Sequence, residues 1–234
     1  MGVIVISGNI FTSKCQTIVN TINCVGVMGA GIALEVRLRY PDLYEKYVKL
    51  CTEKKIDIGL LWVYKAPDRW VLNFPTKRHW KYPSKLEYLH AGLKKFVETY
   101  EDREVKSIAF PLLGADKGGI AQDVSLEIML GYLSELNIDI EIYKYDALAK
   151  DDLFERVKSW LLSQDPGVIA EVAGVRRNYV ERLIEAVCDP KIVQLNQIAK
   201  IDGIGIKTLE GVFKLARSVP IATESAMPGQ QSLL

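Results

Sequence analysis

Two adjacent stretches, QTIVNTIN (16–23) and GVMGAGIALEVRLRYP (26–41), decide the fold. The first is rich in β-branched residues and reads as a strand. The second opens on a glycine-rich turn and continues with apolar residues at helical spacing until Pro41 stops it. Strand, glycine turn and helix together make an α/β unit, and the same alternation recurs on both sides. Upstream, VIVIS (3–7) is a short apolar strand. Downstream come an amphipathic helix (43–54), strands in GLLWVYKA (59–66) and RWVLNFP (69–75), and a strong helix in SKLEYLHAGLKKFVETYE (84–101). Ser84 and Glu87 have the spacing of a capping box at its start, and its apolar stripe runs through Leu86, Leu89, Leu93, Phe96 and Val97. A buried strand (107–114), a helix near 123–136 and a final strand (138–146) complete a mixed α/β sandwich over the first 146 residues.

The rest has helical patterns and no strand. It carries an internal repeat at an offset of 29: IAEVAGVRRNYVERLIEA (169–186) aligns with IAKIDGIGIKTLEGVFKL (198–215). Gly174 meets Gly203 and Glu181 meets Glu210, so the segment reads as a duplicated helix–turn–helix unit. The expected organisation is an α/β domain over 1–148, a small helical domain over 151–220 and a flexible tail over 221–234.

The whole chain has 234 residues, 49% hydrophobic and 25% charged, with 30 basic and 29 acidic residues. That composition suits a folded globular protein and excludes disorder as the main state. A net charge of +1 gives no global field toward nucleic acid or membrane, so any DNA contact must be local. No apolar run is long enough for a bilayer, and the first residues lack the pattern of a signal peptide. Four cysteines without paired spacing, beside two histidines, predict reduced thiols, no zinc site and a cytoplasmic location.

Three segments carry candidate chemistry. GVMGAGIA (26–33) lets backbone approach a ligand closely and presents a helix N-terminus to an anion. GADKGGI (114–120) is a second glycine turn after a buried strand, where α/β folds commonly place ligands. Two such loops can clamp a pyrophosphate, although each alone also reads as a tight turn. In NFPTKRHW (73–80), a lysine at a strand end beside glycine loops can be partly desolvated and nucleophilic. From spacing alone a solvated basic turn is the favoured reading.

Taken together, GN-I-F (8–11), NTIN (20–23), GVMGAGIA, FPTK (74–77) and PLLGADKGGI (111–120) resemble the macrodomain family. The likeness is greatest to the branch of DarG-type DNA ADP-ribosyl glycohydrolases and the terminal ADP-ribose protein glycohydrolase. It implies a three-layer α/β/α fold holding ADP-ribose in a cleft, with no cofactor. Asn9 would sit beside the adenine and accept from its amino group, with Ile10 nearby. Asn23 would face the distal ribose. Gly29, Ala30, Gly31 and Ile32 would wrap the ribose and pyrophosphate from one side. Gly114, Asp116, Lys117, Gly118, Gly119 and Ile120 would wrap it from the other, with Thr76 in the same cleft. Lys77 falls on the family's catalytic lysine, as Schiff-base nucleophile or as activator of the ring hydroxyls.

Two departures stand out. Asn9 replaces the family's usual acid. Gly118 stands where the protein-directed relatives carry a catalytic aspartate, as glycine does in DarG-type sequences. The implied activity is removal of ADP-ribose from a DNA base. A non-catalytic reader, a protein-directed hydrolase and an antitoxin that grips a DarT-type toxin are the alternatives.

LNQIAKIDGIGIKTLEGVFKLA (195–216) resembles a helix–hairpin–helix motif. Gly203, Gly205, Lys207 and Thr208 would contact DNA phosphates, with Arg176 and Arg177 doing so in the first copy. A structural or protein-binding helical domain is the alternative. Trp80, next to the basic turn, is a candidate to stack a base, as is Tyr82. Gln230-Gln231-Ser232-Leu233-Leu234 resembles the short peptide that docks on the replication sliding clamp. No membrane partner is expected.

Overall fold

The structure, a computed structural model, describes residues 2–218. The expected tail over 221–234 and the clamp-like peptide Gln230–Leu234 lie outside the described residues.

In chain order the elements are β1 (Gly2–Gly8), a 3-10 turn (Ile10–Thr12), β2 (Thr17–Asn23), α1 (Gly31–Arg39), α2 (Pro41–Thr52), β3 (Trp62–Lys65), β4 (Trp70–Lys77), α3 (Leu86–Thr99), β5 (Ser107–Pro111), α4 (Gln122–Leu133) and β6 (Asp139–Tyr145). Five helices follow: α5 (Phe154–Ser163), α6 (Pro166–Ala173), α7 (Arg177–Cys188), α8 (Leu195–Ile198) and α9 (Ile206–Ser218).

The six strands form one sheet in the order β1-β6-β5-β2-β4-β3. All neighbours are parallel except β3, which pairs antiparallel with β4 at one edge. Strands β2 and β4 are buried on both faces, which is why they read as nearly continuous apolar runs. One face packs Leu89, Leu93 and Phe96 of α3 and Met129 and Leu133 of α4 on Val19, Leu72, Phe74, Phe110 and Ile140. The other packs Val36 of α1 and Leu43 and Tyr47 of α2 on Ile18, Ile22, Val71 and Ala109. The result is the expected three-layer α/β/α sandwich with a small all-α C-terminal part.

That helical part has its own core, built from Phe154, Val157, Leu161, Ile169, Val180, Leu183, Leu195, Ile198, Leu209 and Phe213. Leu34 and Leu38, one turn apart on α1, join this core and seat it on the sandwich. The 29-residue repeat has a structural counterpart. Gly174 and Gly203, equivalent in the repeat, both take left-handed conformations, with φ of 64° and 82°. Each copy lays a helix over the other's hairpin. Arg182 of α7 covers Gly203 and donates to the Asp202 carbonyl at 3.5 Å. Gly211 of α9, its equivalent, lies against the Ala173 carbonyl.

Three local expectations are corrected. The strand expected to end at Pro75 continues to Lys77. The capping box is absent: Lys85 is the N-cap of α3 and no side chain caps that helix. Leu86, expected on its apolar stripe, is exposed.

Candidate functional site

The parallel arrangement brings the C-terminal ends of β1, β2, β4, β5 and β6 to one edge of the sheet, where doubly wound folds place their ligands. Both glycine loops emerge there.

The first loop, 24–30, is held from below by Asn23. Its Oδ1 accepts from the backbone N–H of Val25 at 3.0 Å and of Val27 at 3.3 Å, and its Nδ2 donates to the Val27 carbonyl. Tyr47 of α2 donates its hydroxyl to the Asn23 carbonyl at 2.7 Å. Asn23 therefore spends its side-chain oxygen and one amide N–H on shaping the loop, and its second amide N–H has no partner in the loop. The loop delivers Gly29, Ala30 and Gly31 to the surface, with Ile32 half-buried behind them. No side chain caps α1, so its first N–H groups remain open to an anion.

The second loop closes through Ile120 N–H on the Gly114 carbonyl at 3.0 Å. It is tied to the start of α3 by Ser84 N–H on the Gly118 carbonyl at 2.9 Å. Gly114 and Gly119 have positive φ. At Gly118 a Cβ would lie 2.1 Å from the Gly114 oxygen and 2.5 Å from Ser84 Oγ. No side chain, and so no catalytic aspartate, fits position 118 in this loop. Gly118 and Ile120 are buried, whereas Asp116, Lys117 and Gly119 are exposed.

Lys77 joins the two loops. The register between β2 and β4 shifts after Ile22, and the bulge sets Lys77 opposite Asn23. Its Nζ donates to the Lys117 carbonyl in the second loop. Partial burial pushes the ammonium below the usual lysine range, and the nearby Asp116 carboxylate opposes that shift. Asp116 also lies against Gly31, its Oδ2 3.7 Å from where a Cβ would stand, so it bridges the loops. Cys24 donates to the Lys77 carbonyl at 3.3 Å. Burial and Asp57 push its thiol up to about 12, which removes it as a competing nucleophile.

Asn9 caps the 3-10 turn, its Oδ1 accepting from Phe11 N–H at 3.1 Å. The atom left without a partner is Nδ2, a buried donor. Asn9 thus offers a donor to a ligand, not the acceptor expected. Ile10 and Thr76 are buried beneath the cleft. Ser84, Tyr47 and Asp116's bridging position had no sequence signal as parts of this site, because each acts across distant elements.

In the helical part, Arg176, Arg177, Gly203, Gly205 and Lys207 are exposed. Arg177 pairs with Glu181 at 3.2 Å. Thr208 is only 4% exposed and packs inward from α9, so the phosphate contact expected of it is withdrawn. Trp80 is 49% exposed. Among the described residues no cluster of His, Cys, Asp and Glu could hold a metal, and no helix is long and apolar enough to cross a membrane.

Residues 19–129 match the family model described as Macro domain. The chain is 44% identical over 119 residues to a Thermus aquaticus protein named DNA ADP-ribosyl glycohydrolase, a match covering 49% of this chain and 33% of that protein. The chain thus spans about a third of that relative's length. The solved macrodomain of Thermus aquaticus DarG is 37% identical, with a TM-score of 0.58, and the likeness covers 61% of this chain and 97% of that one. Thermosipho africanus DarTG, solved in complex with ADP-ribose, is 34% identical with a TM-score of 0.58, covering 62% of this chain and 42% of that one. With nearly all of a solved macrodomain matched at that identity, the chain belongs to the macrodomain family.

Proposed function

We propose that this chain is a DNA ADP-ribosyl glycohydrolase that hydrolyses the N-glycosidic bond between ADP-ribose and a DNA base. The observation that carries the reading is Lys77, partly desolvated and poised between two glycine loops whose second member has no room for a carboxylate at Gly118. The name of the Thermus relative supports the substrate, and the ADP-ribose in the Thermosipho complex supports the ligand.

In this reading the pyrophosphate lies across the open N-terminus of α1, between Gly29–Ile32 and Gly114–Ile120. Asn9 Nδ2 donates to the adenine. Asn23 fixes the first loop and offers its second amide N–H to the distal ribose. Lys77 reaches the distal ribose by exchanging the Lys117 carbonyl for a substrate hydroxyl or the anomeric carbon. As nucleophile, the neutral amine attacks the anomeric carbon, and the bond to the base breaks with the amine's proton passing to the departing base. Water then hydrolyses the resulting imine to ADP-ribose and free Lys77. As activator, Lys77 holds the ribose hydroxyls while water attacks the anomeric carbon and gives its proton to the departing base.

The domain over 151–220 is read as a tandem helix–hairpin–helix unit that holds DNA through phosphates, with Arg176, Arg177, Gly203, Gly205 and Lys207 at its hairpins. Phosphate contacts from the cations at such hairpins, Arg176, Arg177 and Lys207, make affinity fall steeply with salt. A second use has its own support. Leu162, Val168 and Val172 of α5 and α6 are each about half exposed, an apolar surface suited to a protein partner such as a DarT-type toxin. Binding that resists salt and is lost on Val172→Glu favours the toxin. Binding lost with salt and on Gly205→Glu favours DNA.

The catalytic assignment is tested with Lys77→Ala. Turnover is expected to fall by about 10²–10⁴-fold while free ADP-ribose still binds in calorimetry. Unchanged turnover removes Lys77 from the mechanism.

A further inference from the structure

The segment between β4 and α3, Arg78–Lys85, follows directly on Lys77 and bonds the two loops only at its ends, through the Arg78 carbonyl to Cys24 N–H and Ser84 N–H to the Gly118 carbonyl; between those anchors it presents aromatic surface to solvent. Trp80 is 49% exposed and Tyr82 is 66% exposed. His79 lies between them, stacked on Trp80 at 5.7 Å and 24° and tilted on Tyr82 at 5.5 Å. The imidazole Nδ1 accepts from Lys81 N–H at 3.2 Å, which fixes the turn. The rings are therefore held in place while their outer faces stay open.

One cation lies unpaired beside them. Lys81 lies 5.2 Å from the Trp80 ring and has no acidic partner among the described residues. Arg78 pairs with Asp57 at 2.7 Å, and Lys85 is only loosely offset by Glu87 at 3.5 Å. Aromatic faces interleaved with cations form the recognition chemistry of unpaired nucleotides: the rings stack bases, and the cations meet phosphates. A duplex keeps its bases stacked on each other and has none to offer. Three residues of chain span at most about 11 Å, so Trp80 lies within reach of a nucleotide adjoining whatever Lys77 acts on.

We propose that Trp80 and Tyr82, with Lys81, form a stacking platform for the single-stranded nucleotides that flank the modified base. The platform rests on the DNA-directed reading of the cleft, but it can be tested without it. Trp80 is its own reporter. Dodecathymidylate should quench tryptophan fluorescence in the full chain, and the quench should be lost in Trp80→Phe, which keeps the other tryptophans. A duplex of the same length and polyglutamate should leave the Trp80 signal unchanged. Quenching that is the same in Trp80→Phe, or as strong with duplex or polyglutamate, overturns the proposal.

The kinetic arm compares an ADP-ribosylated single-stranded oligonucleotide with the matching ADP-ribosylated nucleoside. Trp80→Ala and Tyr82→Ala should each raise KM for the oligonucleotide about tenfold, with kcat held and the nucleoside little affected. Phenylalanine at either position should recover most of the loss. Equal losses on both substrates, or none on the oligonucleotide, contradict the platform. If the wild-type chain turns over neither substrate, the glycohydrolase reading fails and the fluorescence result still decides the platform.

Discussion

Helix α1 meets two environments, and they are built by opposite rules. Its N-terminus, at Gly31, is left open: no side chain caps it, and Gly29, Ala30 and Gly31 face solvent. Its flank, four to eight residues on, is closed and fully partnered. Glu35 and Arg39 are buried there and bonded to each other at 2.7 Å. Arg39 reaches Asp152 at 2.7 Å and Asp151 at 3.7 Å, and its guanidinium lies 4.0 Å over the Phe11 ring. Glu35 Oε2 accepts from Asn196 at 3.0 Å. Asp151 accepts from the N–H groups of Leu153, Phe154 and Leu195, so it joins α5 and α8 to this cluster. Where backbone donors are left open, a ligand can supply the missing partner. Where every charge is matched, two parts of the chain are fixed together. One helix therefore ties the cleft to the helical module.

The comparison can be broken on its closed side first. Arg39→Ala leaves the buried carboxylates of Glu35 and Asp151 around an empty position and should cost about 3–5 kcal/mol of stability in urea denaturation. At temperatures where the variant stays folded, ADP-ribose affinity should hold, since Arg39 touches neither glycine loop. A loss under 1 kcal/mol would mean the network holds nothing together. On the open side, Gly118→Ala should do the reverse. The added Cβ drives the second loop off Gly114 and Ser84, so ADP-ribose affinity should drop about tenfold or more in calorimetry, by the same arithmetic that makes 1.4 kcal/mol a factor of ten. Unaltered affinity would show that this loop does not clamp the ligand.

A smaller effect sharpens the contrast through pH. Burial raises Glu35 to about 7, and Arg39 opposes the rise while Asp151 adds to it. The folded state then holds a proton that the unfolded chain gives up near 4.5. Stability from this group is present below that value and is lost as pH rises toward 7. Glu35→Gln should flatten this part of the stability profile relative to wild type. Identical slopes between pH 4.5 and 7 would remove Glu35 as its source.

Much of this was legible because it is local. Glycine turns after β-branched strands mark the loops, and the motif around Lys77 marks the lysine. The 29-residue repeat announced two hairpins whose glycines share a left-handed turn. What stayed hidden depends on partners far along the chain. Arg39 and Glu35 look like ordinary solvent-facing charges until Asp152 arrives from 113 residues away. Ser84 and Glu87 have capping-box spacing, but Ser84 is tied by its backbone to Gly118, and the helix starts without it. Thr208 looked free to meet phosphate because a motif does not say which side of a helix its module buries.

The central claim is that this cleft removes ADP-ribose from DNA. Its most direct test mixes the purified chain with single-stranded DNA ADP-ribosylated on thymine, and separately on guanine, and follows released ADP-ribose by mass spectrometry. The account predicts release from one or both, lost in Lys77→Ala. Tight binding of free ADP-ribose with no release from either substrate would contradict it and leave a reader in its place.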